Sequence, residues 1–348
     1  MTVAILPSET VQYNELTGAS TLADVMATAD EQVARGDIDH FRAFPTGFSP
    51  LDDVLNGGLR PGDLFVLGGP SGVGKTIFSL QMARNVALMQ RNANVMYVCY
   101  EHDRWHLLMR LLCLESALLG HGEAALTLRR LHQILADAPT KRGLLAELRD
   151  HKLYADAVAS LDRYASRLTL AKASGTMTTL DQIRTWVLHK LALGVPFFLV
   201  IDYLQKIPYE SSGLMHESEV STRITQGLKE LALSAGIRIL AIVAADRNGL
   251  QSRRVRLYDM RGSSAIQYEA DIGIVINNKF SVVSREHIVY NPIQAQSMHN
   301  WVVFSVEKNR SGRSGVDMEF RLDAAHFCIE PRGDYVRDRL IDDRITLE

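Results

Sequence analysis

The residues most able to do chemistry lie in one stretch, Gly69-Pro-Ser-Gly-Val-Gly-Lys-Thr76. It has the pattern G-x-x-x-x-G-K-T, typical of a loop whose glycines let the backbone N–H groups converge on a phosphate. Lys75 can reach the β- and γ-phosphates of a nucleotide, and the Thr76 hydroxyl can ligate Mg²⁺. The predicted nucleotide-binding residues are Gly69, Ser71, Gly72, Val73, Gly74, Lys75, Thr76 and Ile77.

Both flanks of this loop have the composition that a phosphate site requires. Asp63-Leu-Phe-Val-Leu67 is a short apolar run typical of a buried strand, and residues 77–87 carry apolar side chains at helical spacing without Gly or Pro. The N-terminus of that helix adds partial positive charge, which favours anionic phosphates. The order of strand, glycine-rich turn and helix favours a phosphate site over a chance glycine turn.

Two carboxylates follow other strand-like runs. Asp202 ends the apolar run at residues 197–202, and Glu101 comes directly after residues 94–100. Because ligands collect at the carboxyl ends of parallel strands, we expect both side chains near the loop. Asp202 is predicted to hold Mg²⁺, usually through water, or else to cap the next turn. Glu101 is predicted to orient or deprotonate an attacking water, or else simply to begin the next helix.

Two basic segments are further candidates. Residues 247–261 contain five arginines, which predicts a mobile basic loop that either contacts nucleic-acid phosphates or is merely solvated. Lys308 and Arg310 are two positions apart, so on an extended chain they point the same way. This pair can reach a γ-phosphate bound by an adjacent subunit, as an arginine finger does.

Composition narrows the possible classes of protein. The 348 residues are 47% hydrophobic and 22% charged, as in an ordinary globular protein. The net charge of −2 excludes a generally basic, nucleic-acid-coating protein but allows a local basic patch. Three widely spaced cysteines predict buried thiols rather than disulfides, and they lack the spacing of a zinc site. Without a long apolar run or a signal-peptide pattern, we expect a soluble cytoplasmic protein with no membrane partner.

The order of predicted elements indicates an α/β fold. Strands alternate with helices, so we predict a mostly parallel sheet with helices on both faces, closed by a hairpin of residues 301–306 and 316–322. Two to four helices are predicted between Trp105 and Leu161. An amphipathic helix at residues 21–35 has no core of its own, so its apolar face must dock on this subunit or on a neighbour.

Several pieces of sequence occur together in an order that one family shares. They are Thr46-Gly-Phe-Ser-Pro-Leu-Asp52, Gly57-Gly-Leu-Arg-Pro-Gly-Asp63, the phosphate loop, Glu101, Met109-Arg-Leu-Leu112, Ile201-Asp-Tyr-Leu-Gln205, Arg261-Gly-Ser-Ser-Ala-Ile-Gln267 with Ala270-Asp271, and Lys308-Asn-Arg-Ser-Gly312. With these pieces the chain resembles the ATPase domain of DnaB-type replicative helicases, a RecA-fold family of P-loop NTPases. The first pieces are shared with RadA- and KaiC-like relatives, whereas Asp-Tyr-Leu-Gln and Lys-x-Arg-x-Gly are more specific to the DnaB branch.

The resemblance implies a RecA-like core preceded by a short linker helix, ATP and Mg²⁺ as cofactors, and a homohexameric ring around single-stranded DNA. The linker helix is expected to dock on the neighbouring subunit. The implied catalytic residues are Glu101, Lys75 and, acting in trans, Lys308 and Arg310. The implied DNA-binding residues are Arg253, Arg254, Arg256 and Arg261. The expected domains are an arm and linker helix at residues 1–40, the ATPase domain at 41–331 and a loosely ordered charged tail at 332–348.

The chain departs from the family pattern in two places, and the altered sensor strand together with the near-neutral charge favours a second function. Only a short arm precedes the linker helix, where the family has a helical domain of roughly a hundred residues, so we expect a plasmid, phage, mobile-element or defence version. Ala244 stands where relatives have a Gln that senses the γ-phosphate. The first hypothesis is a helicase that translocates on single-stranded DNA. The alternative is an oligomeric ATP switch or assembly protein that binds a protein partner without unwinding; a helicase could equally have a protein loader.

Overall fold

The computed structural model describes residues 19–39, 41–137, 143–209, 216–247, 249–283 and 292–341. Within these residues, ten strands belong to one sheet. The strands are β1 (Leu64–Gly68), β2 (Asn94–Cys99), β3 (Leu168–Lys172), β4 (Phe197–Asp202), β5 (Arg238–Ile242), β6 (Ile272–Asn278), β7 (Trp301–Asn309), β8 (Val316–Asp323), β9 (Cys328–Ile329) and β10 (Asp334–Tyr335).

The strand order is β10-β8-β7-β6-β1-β5-β4-β2-β3, with β9 also paired to β8. The six strands from β6 to β3 in this order run parallel, whereas β7, β8 and β10 are antiparallel to their neighbours. Every residue of β1, β4 and β5 is buried, as expected for parallel strands covered on both faces. The predicted mostly parallel sheet with a closing hairpin is therefore confirmed.

The helices of the described residues surround this sheet. They are α1 (Leu22–Ala34), α2 (Leu51–Val54), α3 (Lys75–Met89), α4 (Arg104–Leu118), α5 (Leu128–Asp137), α6 (Leu144–Asp150), α7 (Ala155–Asp162), α8 (Leu180–Leu191), α9 (Glu217–Ser234), α10 (Ser263–Glu269), α11 (Lys279–Val282) and α12 (Pro292–Ser297). Four of them, α4 to α7, fill the region where two to four helices were predicted. Each of these helices is too short or too polar to span a bilayer.

Both faces of the sheet carry an apolar core. Side chains alternate along a strand, so Phe65 and Leu67 of β1 join the core under α3 and α4, while Leu64 and Val66 join the core under α8 and α9. Phe78 of α3 lies in the first core, with its ring 5.0 Å from the Phe304 ring of β7. The prediction of helices on both faces is confirmed.

A buried ion pair ties α3 to the inserted helices. Arg84 of α3 donates to both carboxylate oxygens of Glu115 in α4, at 2.6 and 2.7 Å. The same carboxylate accepts from Ser160 Oγ and Tyr164 Oη, both at 2.7 Å, and all four polar groups are largely shielded from water. Because every oxygen is satisfied, this network can hold a charge inside the protein.

The helix α1 and the C-terminal tail differ in how they contact the rest of the chain. No residue of α1 is buried, and the apolar side chains of its stripe are exposed, as in Leu22 and Met26. The expected loose order was wrong for residues 332–341: β10 pairs with β8, and Asp338 lies 2.6 Å from the Lys279 ammonium. Lys279 is buried beside Glu319 as well, so it requires these carboxylates and holds the tail against the sheet. The arm at residues 1–18 and residues 342–348 lie outside the described residues.

Candidate nucleotide site

The phosphate-binding loop connects the end of β1 to the start of α3, as predicted. Gly69, Gly72 and Gly74 all have positive φ angles, of 142°, 75° and 105°. At Gly69 a Cβ atom would lie 2.3 Å from the Ile276 carbonyl oxygen, so only glycine allows the loop to pass so close to β6. The loop therefore curls over the carboxyl end of the sheet, with the N-terminus of α3 beneath it.

Lys75 lies inside the curl of this loop. Its ammonium donates to the carbonyl oxygens of Gly69 and Pro70, at 2.8 and 2.7 Å. Burial lowers the pKa of Lys75 to about 8, although the charges of Asp202 and Glu101 act in the opposite direction. A phosphate bound in the loop would place negative charge beside Lys75 and so favour its charged form.

Thr76 and Asp202 come together although they are far apart in sequence. The Thr76 hydroxyl donates to Asp202 Oδ2 at 2.9 Å, and the Tyr97 hydroxyl donates to the same oxygen at 3.0 Å. Asp202 is 1% exposed, and this burial raises its carboxyl pKa, against the two hydrogen bonds, which lower it. The strand end therefore presents a carboxylate whose orientation is fixed by neighbouring hydroxyl groups.

This pair of oxygen donors suits a small hard cation. Mg²⁺ is typically held by one or two protein oxygens, several waters and the phosphates of the substrate. Thr76 and Asp202 supply a hydroxyl and a carboxylate beside the phosphate loop. In the described part of the chain, no cluster of three or more His, Cys, Asp or Glu side chains could hold a metal instead. The residues present thus fit Mg²⁺ bound together with a nucleotide.

Glu101 is held near Asp202 by the sheet. Cys99 pairs with Asp202 across β2 and β4, and the Tyr100 N–H donates to the Asp202 carbonyl at 2.8 Å. Glu101 follows directly, and its exposed side chain lines the same cavity of about 460 Å³ as the phosphate loop. The structure therefore brings Glu101, Lys75, Thr76 and Asp202 to one cavity of the size that nucleotides occupy. Of the predicted loop residues, Val73 is buried and does not line this cavity.

Sequence reasoning missed part of the cavity wall. The Arg110 guanidinium lies over the Phe327 ring, 4.9 Å from its centroid, and its Nη2 is 3.2 Å from His102 Nε2. All three side chains line the cavity. Arg110 belongs to the Met109–Leu112 motif, so that motif could have assigned it to the site. Phe327 carries no such signal, because it reaches the cavity only through the return of the chain after β8.

Lys308 and Arg310 lie at the opposite edge of the sheet from the phosphate loop. Asn309 at the end of β7 pairs with Ile272 at the start of β6, whereas the loop follows the ends of the parallel strands. Lys308 donates to the carbonyl oxygens of Gln267 and Tyr268, and Arg310 Nη1 lies 3.1 Å from Asp271 Oδ1. At about 3.3 Å per residue, four residues of β1 put roughly 13 Å between these edges. This cationic pair therefore stands apart from the nucleotide cavity of its own chain.

The structure separates the arginines of the predicted basic loop. Arg253 is exposed, but Arg254 is buried and its Nη2 lies 2.5 Å from Asp317 Oδ1. Arg256 pairs with Glu307 at 3.2 Å, and Arg261 pairs with exposed Glu217 at 2.6 Å. Carboxylates of this chain already neutralise Arg254 and Arg256, so neither is a freely solvated side chain. Arg261 also lines the nucleotide cavity.

Ala244 lines the cavity at the position where a polar sensor was expected. Gln205 Oε1 accepts from the Ala244 N–H at 3.1 Å, and Gln205 Nε2 donates to the Arg261 carbonyl at 3.2 Å. The Arg261 N–H in turn donates to the Ala244 carbonyl at 3.0 Å. The Gln of the Asp-Tyr-Leu-Gln motif therefore links the end of β5 to the segment that carries Arg261.

The family model for the DnaB-like helicase C-terminal domain matches residues 43–328. The chain belongs to this family. Among curated relatives, the replicative DNA helicase DnaB of Geobacillus stearothermophilus is 29% identical over 233 residues, which are 66% of this chain and 45% of the relative. The DnaB helicase of Rickettsia bellii is 28% identical over 302 residues, 80% of this chain and 55% of the relative. The chain thus spans about half the length of these relatives.

Two solved structures share the fold of this chain. An ATPase domain matches over 90% of this chain and 99% of its own length, with a TM-score of 0.69 and 16% identity. A DnaB-like replicative helicase, described with its interactions with primase, matches over 90% of this chain and 67% of its own length, with a TM-score of 0.64 and 17% identity. The RecA-like α/β core predicted from the sequence is confirmed.

Proposed function

We propose that this chain is the motor domain of a DnaB-type helicase, which hydrolyses Mg²⁺-ATP at contacts between subunits and moves along single-stranded DNA. The observation that carries this proposal is the division of the catalytic groups between two edges of the sheet. The phosphate loop, Glu101 and Asp202 share one cavity, while Lys308 and Arg310 lie at the other edge. A second copy of the chain would bring its cationic pair to that cavity.

Each group has a role that follows from its position. Lys75 and the loop N–H groups bind the β- and γ-phosphates, and Glu101 orients or deprotonates the water that attacks the γ-phosphate. Thr76 and Asp202 hold Mg²⁺, which when bound neutralises charge on the phosphates. Lys308 and Arg310 of a neighbouring subunit stabilise the charge that develops on the transferred phosphoryl group.

A ring, which we propose to be a homohexamer, accounts for two features that a single subunit leaves unexplained. The cationic pair needs a neighbour's nucleotide, and the apolar stripe of α1 is exposed. Docking of α1 on the next subunit would bury that stripe, and each buried Leu or Met side chain stabilises such a contact by about 1.5–3 kcal/mol. A cytoplasmic location and a protein loader or other partner belong to the same proposal.

Contact with DNA rests on the exposed arginines. Arg253 and Arg247 are exposed, and Arg261 is only partly covered by its ion pair. Arginine side chains that contact nucleic-acid phosphates contribute affinity that depends on salt and not on base sequence. We assign this role first to Arg253, then to Arg261, and not to buried Arg254.

The test is ATP hydrolysis by the purified protein with and without single-stranded DNA, beside a Lys75→Ala variant. Strong stimulation by DNA that is absent from the variant would support a translocating motor. Slow hydrolysis whose rate does not change with DNA would contradict the translocating motor. It would favour the alternative, an ATP switch with a protein partner. Ala244 favours that alternative, since its methyl group offers no hydrogen bond to a γ-phosphate.

A further inference from the structure

Tyr97 of β2 lies beneath α3 with its side chain fully buried. Its hydroxyl is 3.0 Å from Asp202 Oδ2 and 2.8 Å from Ser79 Oγ. An ionised carboxylate only accepts hydrogen bonds, so Tyr97 donates to Asp202 and its own oxygen can accept from Ser79. The one Ser79 proton has two acceptors in reach, Tyr97 Oη at 2.8 Å and the Thr76 carbonyl at 3.2 Å. Side chains of α3, β2 and β4 thus form a buried hydrogen-bonded chain that ends on Asp202.

The two donors to Asp202 converge on one of its oxygens. Thr76 and Tyr97 both donate to Oδ2, and within the described residues no protein donor reaches Oδ1. The last torsion of an Asp side chain is broad, so a single donor would leave the carboxylate free to rotate. Two donors from different elements fix its plane and leave Oδ1 to accept from the water shell of a cation.

We propose that Tyr97 is a positioning residue for Mg²⁺, holding the Asp202 carboxylate in the orientation that a hydrated cation needs. Ser79 supports Tyr97 by holding its hydroxyl toward Asp202. This inference rests on the proposed function, since it takes Thr76 and Asp202 as the groups that hold Mg²⁺ with ATP. Partners that orient a metal-binding carboxylate typically change metal affinity or activity by about 10–100-fold when removed.

The residue that follows β2 offers a matched comparison. Tyr100 lies three residues after Tyr97, and its hydroxyl donates to the Thr178 carbonyl at 2.7 Å, away from the phosphate loop. Tyr97→Phe and Tyr100→Phe each remove one hydroxyl that is hydrogen-bonded inside the protein. Only the first removes a donor to Asp202. A difference between the two variants therefore reports on positioning and not on the general loss of a tyrosine hydroxyl.

The experiment titrates Mg²⁺ while following the binding of a fluorescent ATP analogue, and then repeats the titration while following hydrolysis. For Tyr97→Phe we expect the half-saturating Mg²⁺ concentration to rise about tenfold. Nucleotide binding in EDTA should be unchanged, and high Mg²⁺ should recover most of kcat. Ser79→Ala should shift the same value less, in the same direction. Tyr100→Phe should match the wild type.

Equal Mg²⁺ dependence in Tyr97→Phe and Tyr100→Phe would overturn the inference while leaving the proposed function intact. If Tyr97→Phe does not fold, Ser79→Ala decides, because an unshifted Mg²⁺ titration in that variant also overturns the inference. If nucleotide binding by the wild-type protein does not depend on Mg²⁺, that result would contradict the proposed function and, with it, this inference.

Discussion

The two edges of the parallel sheet are built in opposite ways. At the carboxyl edge, Asp202 is buried and Lys75 is half-buried, and each is hydrogen-bonded to neighbouring groups of the same chain. At the other edge, Lys308 and Arg310 are only partly covered and are held largely by backbone carbonyls. The first edge holds the proposed phosphate site with its groups already in contact, whereas the second presents cations that could exchange their present partners for a stronger anion.

The direction of one strand causes this difference. Had β7 run parallel to β6, its end would have brought Lys308 and Arg310 beside the phosphate loop. Because β7 is antiparallel, its end returns to the start of β6, opposite Ile272. The fold thus separates the phosphate loop from the cationic pair within one chain. Under the proposed function, this arrangement makes hydrolysis depend on assembly.

The largest expected effect comes from removing the cation at the second edge. Arg310→Ala should lower kcat by about 10³-fold or more, because an arginine finger contributes about 10³–10⁵ to phosphoryl transfer. Nucleotide affinity should stay within about twofold, since the phosphate loop of the same chain is untouched. Steady-state hydrolysis and fluorescent nucleotide binding measure the two quantities, and Arg313→Ala, at an exposed arginine nearby, is the control.

Mixing variants tests whether this cation acts on a neighbour. Arg310→Ala and Lys75→Ala subunits should each be nearly inactive alone. Their mixture should recover part of the activity. Some subunit contacts then join the intact phosphate loop of an Arg310→Ala subunit to the intact Arg310 of a Lys75→Ala subunit. A mixture as inactive as its components, although it assembles, would contradict action between subunits.

A smaller effect, on stability, tests how firmly the first edge is held. Glu115→Ala leaves the Arg84 guanidinium of α3 largely buried without its carboxylate, and breaking such a pair costs about 3–5 kcal/mol. The matched control is Asp162→Ala, which breaks the exposed pair with Arg149 and should cost at most about 1 kcal/mol. Urea unfolding measures both. Equal losses in the two variants would contradict the prediction that burial makes the loss of Glu115 more costly than the loss of an exposed partner.

The smallest effect separates two adjacent arginines. Arg253→Ala should weaken single-stranded DNA binding and reduce the slope of log affinity against log salt by about 0.7, the value for one phosphate contact, without changing stability. Arg254→Ala should leave that slope unchanged but lower stability by about 1–3 kcal/mol, because Asp317 loses its partner. Salt-dependent binding and urea unfolding of both variants give the answer. If Arg254→Ala reduced the slope and Arg253→Ala did not, the DNA contact would belong to Arg254 and our assignment would be wrong.

The sequence predicted most of the fold because its signals are local. The apolar runs at 63–67 and 197–202 became β1 and β4 within a residue of the predicted ends. The phosphate loop was recognisable because its glycines, Lys75 and Thr76 are consecutive. The tail at 332–341 was mispredicted because its charges satisfy partners such as Lys279, which lies more than fifty residues earlier.

The sequence by itself determined which residues could bind phosphate and Mg²⁺, since loop, strand and helix are set by side chains a few positions apart. Only the tertiary structure decided that Tyr97 bonds to Asp202, 105 residues away, and that Arg254 is buried while Arg253 is exposed. It also decided that Lys308 and Arg310 face away from their own phosphate loop. Strand order and direction decide these outcomes because they bring together residues that are distant in the chain. The local spacing of residues in the sequence carries no signal of either.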